Sequence, residues 1–249
     1  MRLIVNADDL GKSSRINEAI FRLVDAGVVT SATLMPNGPA YEDAVSGLRA
    51  RAFRAVGVHL NITEFKPLTG ASGLTPLLDE CGNLARSFRD ALVTPAILRA
   101  VDEEWRAQIQ TMIRAGLTPS HLDSHHHVHT FPQFGPVVRK LQSEFGIRRI
   151  RRAKNIYLRQ SVRTWAALVW RNLSQFMLTR NSNSVTTDGF TDLRTFLLLP
   201  SLPPGMQTIE IMVHPGHPNH EDEEPWLLAP QCRQRFSQCR LISYLDLPE

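Results

Sequence analysis

Between Pro119 and His129 the chain places five of its nine histidines and one aspartate within eleven residues. Imidazole is the commonest protein ligand for divalent transition metals, so this density points first to a metal site. If the segment runs as a strand or strand end, side chains alternate: His121, Asp123, His125, His127 and His129 share one face and His126 points away. One or two of these groups could then ligate an ion while the others orient it or touch substrate. The bland alternative is an exposed polar turn. Alternation with an embedded carboxylate argues against it.

Three other places carry similar chemistry. Arg2-Leu3-Ile4-Val5 leads into Asn6-Ala7-Asp8-Asp9-Leu10-Gly11, two adjacent acids where a strand gives way to a loop. Consecutive strand residues diverge, so one carboxylate could hold a metal while its neighbour takes a proton from water. An Asp pair that shapes the turn before Gly11 is the structural alternative. Val56-Gly57-Val58-His59-Leu60-Asn61 ends a further strand with His59, and Ile209 to Val213 ends another with His214. A lone histidine of this kind is more often structural. Four strand ends bearing metal-type or acid–base groups point instead to one shared pocket.

The elements that must position these groups follow from periodicity. Short β-rich apolar segments alternate with helical patterns, the signature of an α/β fold with mainly parallel strands. Strands are expected at Arg2–Asn6, Val29–Met35, Ala55–Asn61, His121–Ser124, Ile147–Arg151, Ser184–Thr187, Ile209–His214 and Cys239–Tyr244. Helices are expected at Ser14–Ala26, opened by Ser13 or Ser14 and closed by Gly27, and at Ala96–Ala115, ended by Gly116. Gly70–Thr94 reads as an insertion near the site. Residues 1–249 show no repeat and no dividing linker, so one domain is expected.

The composition, 43% hydrophobic and 21% charged over 249 residues, suits a globular protein and excludes disorder. No apolar run approaches membrane-spanning length, and the start of the chain enters a strand directly, so a cytoplasmic protein is expected. Cys81, Cys232 and Cys239 are odd in number and lack CxxC spacing, which argues for reduced thiols. The net charge is +4, with a basic run of Arg148, Arg149, Arg151, Arg152, Lys154, Arg159 and Arg163. Without a recognition motif this run reads as a solvated basic face, and no nucleic-acid partner is expected. Val162–Leu178 places Trp165, Leu168, Val169, Leu173, Phe176 and Met177 on one stripe, a face for the core, a second subunit in a homodimer, or a membrane surface contacted peripherally.

Together the segments Asn6–Gly11, Val28–Ser31 with Met35-Pro36-Asn37, Gly57–Thr63, Pro119–His129 and His214-Pro215-Gly216 resemble the motifs of the YdjC-like carbohydrate deacetylases. That group includes chitooligosaccharide and hopanoid-associated enzymes. The likeness runs in order from the first strand to about Gly216. It implies an irregular (β/α) barrel of the polysaccharide-deacetylase type and hydrolysis of an N-acetyl group on an amino sugar. It implies a single divalent ion, zinc or magnesium with manganese or cobalt tolerated, held by Asp9, His59 and His125. Asp8 would be the general base and His214 the proton donor. Asp123, His121, His127 and His129 would orient a ligand or contact sugar, and Arg151 would pair with Asp8 and hold it ionised. The tryptophan- and arginine-rich stretch after Ile156 raises a lipid-linked glycan as substrate. A metal-dependent phosphoesterase, which would bridge two ions, is the alternative enzyme.

Overall fold

The computed structural model describes residues 1–85, 93–158 and 183–248, with Val169, Leu173 and Gln175 as single positions between them. Among the described residues seven parallel strands form one sheet: β1 (Arg2–Leu10), β2 (Ser31–Leu34), β3 (Val56–Leu60), β4 (Leu122–Ser124), β5 (Gly189–Asp192), β6 (Thr208–Val213) and β7 (Arg240–Leu241). The order is β4-β3-β2-β1-β6-β5, and β7 pairs with Arg2 and Leu3 at the start of β1. Bridges from Leu122 to Ile150 and from Arg149 to Val185 carry the curl onward beyond β4, giving an irregular, incomplete barrel. The expected strands at 147–151 and 184–187 thus survive only as single bridges. The strand Gly189–Asp192 was not anticipated, because Gly189 and Asp192 break the apolar pattern.

Helices α1 (Ser14–Asp25), α2 (Tyr41–Ala50), α3 (Pro95–Arg114), α4 (Gly135–Phe145), α5 (Leu193–Leu198), α6 (Glu223–Leu228) and α7 (Pro230–Phe236) accompany the strands. Ser13 caps α1 by accepting from the Ile16 N–H, and Thr94 does the same for α3 at Ile97. Of the expected insertion, residues 70–85 are described: a 3₁₀ turn at Ser72–Leu77 buries Leu74 and Leu77 against α3. The amphipathic stretch 162–178 falls largely outside the described residues. No helix among the described residues is long and apolar enough to cross a membrane.

Strand alternation divides the sheet's two faces. Leu3, Val5 and Ala7 of β1, Val56, Val58 and Leu60 of β3, and Ile209, Ile211 and Val213 of β6 join the main core with the helices. The opposite face begins at a small apolar plug of Ile4, Ile242, Tyr244 and Leu247. Above that plug it is polar: Asn6, Asp8, His59, Asp123 and Glu210 are all buried there. Gly57 shares this alternation, and a side chain at that position would fall 2.6 Å from the His121 ring. Register then fixes neighbours, since His59 lies beside Asp123 and Ala7 beside Val213, so Asp8 and His214 follow on adjacent strands.

Only part of the basic run faces solvent: Arg148 is exposed, Arg149, Arg151, Arg152 and Lys154 are wholly or partly buried, and Arg159 and Arg163 lie outside the described residues. Arg151 is wholly buried. Arg149 donates to the carbonyls of Leu245 and Leu247, Arg152 to those of Thr187 and Asp188, and Lys154 pairs with Asp192. These cations tie the irregular segment at 148–155 to its neighbours where regular strand pairing is missing. The three cysteines are free thiols.

Candidate active site

The β1 strand does not stop at Asn6 but runs on to Leu10, and its pairing with β2 slips between Ala7 and Leu10. Asp9 takes a left-handed backbone, φ 68°, which for a non-glycine residue costs about 1–3 kcal/mol and persists only where surroundings impose it. The expected divergence of Asp8 and Asp9 is therefore cancelled. Both carboxylates line one cleft of about 650 Å³, together with Lys12, His59, Glu64 and His125.

Asp9 Oδ1 lies 3.3 Å from His59 Nε2 and 3.0 Å from His125 Nδ1. It is buried and has no aligned hydrogen-bond donor among the described residues. A tetrahedral ion with bonds of about 2 Å sets its ligand atoms about 3.3 Å apart, so these spacings fit a shared cation. Both outer ring nitrogens are braced by carboxylates: His59 Nδ1 meets Asp123 Oδ1 at 2.8 Å, and His125 Nε2 meets Glu64 Oε2 at 2.8 Å. Such braces select the tautomer whose lone pair faces inward. Burial works against the charge of Asp9, yet the two imidazoles hold its carboxyl well below the usual range. Burial likewise disfavours a charged His59, but Asp123, Asp9 and Asp8 push it up to about 10. A dication beside Asp9 would answer the same field.

Arg151 organises the acids around this centre. Its two terminal nitrogens each lie 2.6 Å from one oxygen of Asp8, and it also reaches Asp123 at 2.7 Å and Glu210 at 2.8 Å. Burial opposes the charge of Asp123, but Arg151 and His59 hold its carboxyl far down. Glu210 responds the other way: burial outweighs Arg151 and pushes it up to about 7, with the Tyr244 hydroxyl donating to it. Three buried carboxylates, Asp8, Asp9 and Asp123, thus face one guanidinium, an excess of acids over that cation which suits a further positive ion.

His214 stands across the cleft, its Nε2 4.0 Å from Asp8 Oδ2. Burial outweighs the nearby acids and pushes it down to about 4. Glu223 accepts the backbone N–H of His214 and so fixes where the ring leaves β6.

The expected common face of the histidine cluster stops at Ser124. His126 and His127 adopt left-handed backbone in a 3₁₀ turn from His125 to Thr130, so period two no longer applies. His121 lies deep below the cleft, stacked on Tyr244 at 3.6 Å and pushed down to about 3 by burial. It does not reach the space where a sugar would sit. His129 is also buried, bonded through Nδ1 to Ser124 at 2.6 Å and through Nε2 to the Arg151 carbonyl at 3.1 Å. His127 lines the cleft, and His126, expected to face away, lines it as well and bonds Thr63 at 2.8 Å.

Residues 2–240 match the sequence profile of the YdjC-like proteins. The chain belongs to that family. Among its YdjC-like relatives is a carbohydrate deacetylase of Oceanobacillus iheyensis, 30% identical over 224 residues that cover 90% of this chain and 89% of the relative. Another, a carbohydrate deacetylase of Brevibacillus brevis, is 31% identical over 258 residues, covering 100% of this chain and 94% of the relative. A crystal structure from Enterococcus faecalis, provisionally described as a cellobiose-phosphate cleavage protein, superposes with a TM-score of 0.79 at 25% identity. It covers 98% of this chain and 97% of its own.

For this YdjC-like chain the sequence reading missed Glu64, Lys12, Glu210 and Glu223. Glu210 left a legible trace, since an acid flanked by Ile209 and Ile211 in a buried strand must have a partner. Glu64 left none, being one carboxylate in a loop. Burial opposes its charge, but His125 and Lys12 pull it down to about 2. Glu64→Gln is expected to weaken metal affinity about 10–100-fold through loss of the His125 brace. Competition with a chromogenic chelator measures this, and an unchanged affinity would remove Glu64 from that role.

Proposed function

We propose that this YdjC-like protein is a metal-dependent hydrolase that removes the N-acetyl group from an amino sugar, free or lipid-linked, releasing acetate. One observation carries the reading: a buried carboxylate oxygen of Asp9, without an aligned donor among the described residues, flanked by two imidazoles that are each braced from behind by a carboxylate. Asp9, His59 and His125 would hold one divalent ion, zinc best matching the donor set, which polarises an acetyl carbonyl and acidifies water. Residues 1–249 are read as one domain serving this site.

The protein's own groups supply the proton transfers. Asp8, oriented by both nitrogens of Arg151, accepts the proton of the water that attacks the acetamide carbon. His214 begins neutral, because burial keeps it so, and receives a proton from Asp8 through one oxygen of the reacting water or substrate bridging their 4.0 Å separation. It passes that proton to the sugar nitrogen as the C–N bond breaks, so the amine leaves uncharged. Asp123 keeps the His59 ring oriented, and His127 flanks the sugar at the cleft wall.

This sequence of transfers has a pH signature. A histidine acid that must be protonated in the free enzyme gives kcat/KM a descending limb centred near about pH 6.5. With His214 pushed down to about 4, no descending limb is expected between about pH 6 and 8. A limb there would show that His214 binds its proton before substrate arrives.

The identifying experiment is acetate release from N-acetylated sugars, from chitobiose to a lipid-linked N-acetylglucosamine, with chelated protein and after metal is restored. Metal-dependent acetate release establishes the reaction. The lipid-linked member tests the glycolipid and membrane-surface readings. Phosphate release from a sugar phosphate, without acetate from any member, would favour the phosphoesterase alternative.

A further inference from the structure

The chain from His214 reads His-Pro-Gly-His-Pro-Asn-His-Glu-Asp-Glu, with metal-type residues at 214, 217, 220 and 223. The 3₁₀ turn Pro218–His220 and the first residue of α6 fold this stretch back on itself beside the cleft. His214 and His220 stack with ring centroids 4.6 Å apart, and Glu223 reaches His220 Nδ1 at 3.1 Å. His214 Nδ1 is buried and has no hydrogen-bond partner among the described residues, while Nε2 of the same ring faces Asp8. One ligand atom each from His214, His220 and Glu223 lie within 4.8 Å of one another.

We propose that His214, His220 and Glu223 form a second cation site, selective for zinc-like ions, whose occupation inhibits the enzyme by capturing its proton donor. The donor set is two imidazoles and one carboxylate, a choice that favours zinc over magnesium. It shares no ligand with Asp9, His59 and His125. The His220–Glu223 pair already stands at 3.1 Å and all three ligand atoms lie within 4.8 Å, so reaching the roughly 3.3 Å edges of a tetrahedral zinc site asks only for a turn of the His220 ring, whose side chain is 41% exposed, out of its stack on His214. His217 stands apart: its ring centroid lies 6.3 Å from that of His214, against 4.6 Å for His220, and its Nδ1 accepts the Asn219 N–H.

A cation on His214 would fix its ring and place positive charge beside Asp8. The ring could then neither receive a proton nor donate one. The first ion would thus support the reaction and a second, bound more weakly at one partly exposed ligand, would switch it off. The inhibition rests on the deacetylase reading, whereas the binding does not.

The test is equilibrium dialysis of the full chain against zinc, with metal and protein quantified, alongside cobalt(II) absorption as a report on ligand geometry. Wild type should bind two equivalents. His220→Ala should bind one, and His217→Ala should still bind two. In acetate-release assays the second equivalent should inhibit wild type, and His220→Ala should need at least about tenfold more zinc for the same inhibition. His220→Asn, which keeps a polar side chain, guards against a loss caused by misfolding and should also bind one. A single equivalent in wild type, or two in both His220 variants, would overturn the site. Two equivalents in wild type and one in the variants, with no acetate from any substrate, would keep the site and reject the deacetylase reading.

Discussion

Asp8→Asn should lower kcat by about 10²–10⁴-fold, the range a lost general base commands, while metal content stays at the wild-type level. The change is isosteric, and Asp9, His59 and His125 are untouched. Asn6 can still approach the site of Asp8 Oδ1, where it now donates at 2.9 Å. The amide cannot accept the water proton, and one of its two ends turns an N–H toward Arg151, which already donates there. Some stability is lost as a result. Arg151 nevertheless keeps Asp123 and Glu210, so the site should remain assembled. Turnover and bound metal must be measured on the same sample. A loss of kcat in step with a loss of metal would show that Asp8 serves the ion instead. A kcat within about tenfold of wild type would mean that another group takes the proton.

The fold and the centre were legible in the sequence to different depths. Strand positions were legible because the sheet alternates: Ile209-Glu210-Ile211-Met212-Val213-His214 shows its apolar and polar faces residue by residue. The helix start at Ser13 follows from capping chemistry, whereas the cap at Thr94 was hidden at the end of a stretch read as an insertion. What could not be read was local departure from the regular strand. The left-handed backbone at Asp9 turns a divergent pair of acids into a convergent one, and the same geometry at His126 and His127 ends the period-two face. No single residue type announces these turns, since they are imposed by the surrounding packing. The basic run was misread for a related reason. Charge counted along the chain does not say which arginine points into a barrel; the expected pair of Arg151 with Asp8 is present, and Arg151 points inward because three strands, β1, β4 and β6, each bring it a carboxylate.

That convergence makes Arg151→Met the substitution with the largest expected effect on stability. Methionine matches much of the aliphatic stem and keeps a contact near Phe190, whose ring lies 4.9 Å from the guanidinium. Packing therefore changes little. Electrostatics changes greatly, because Asp8, Asp123 and Glu210 lose the cation they share, and breaking a buried pair on one side costs about 3–5 kcal/mol. The pH dependence gives the test its sign. In wild type the carboxyl of Asp123 is held down, so its contribution to stability is present above the unfolded pKa and is lost as pH falls through the folded one. Without Arg151 the buried acids repel one another, their folded pKa values rise above the unfolded ones, and the resulting destabilisation is relieved as pH falls. Wild type and variant should accordingly differ most at neutral pH and approach each other toward about pH 5 in urea unfolding. A gap that stays constant or widens on acidification would show that the loss comes from packing. Adding Glu210→Gln to Arg151→Met should recover part of the stability, because Glu210, already pushed up to about 7, is the acid whose charge the interior tolerates least. It should recover no activity, since the position of Asp8 depends on the guanidinium itself. A hydrophobic replacement could therefore restore a stable barrel while leaving Asp8, the proposed general base, without its guanidinium, which is a physical reason for keeping so costly a set of charges in the interior.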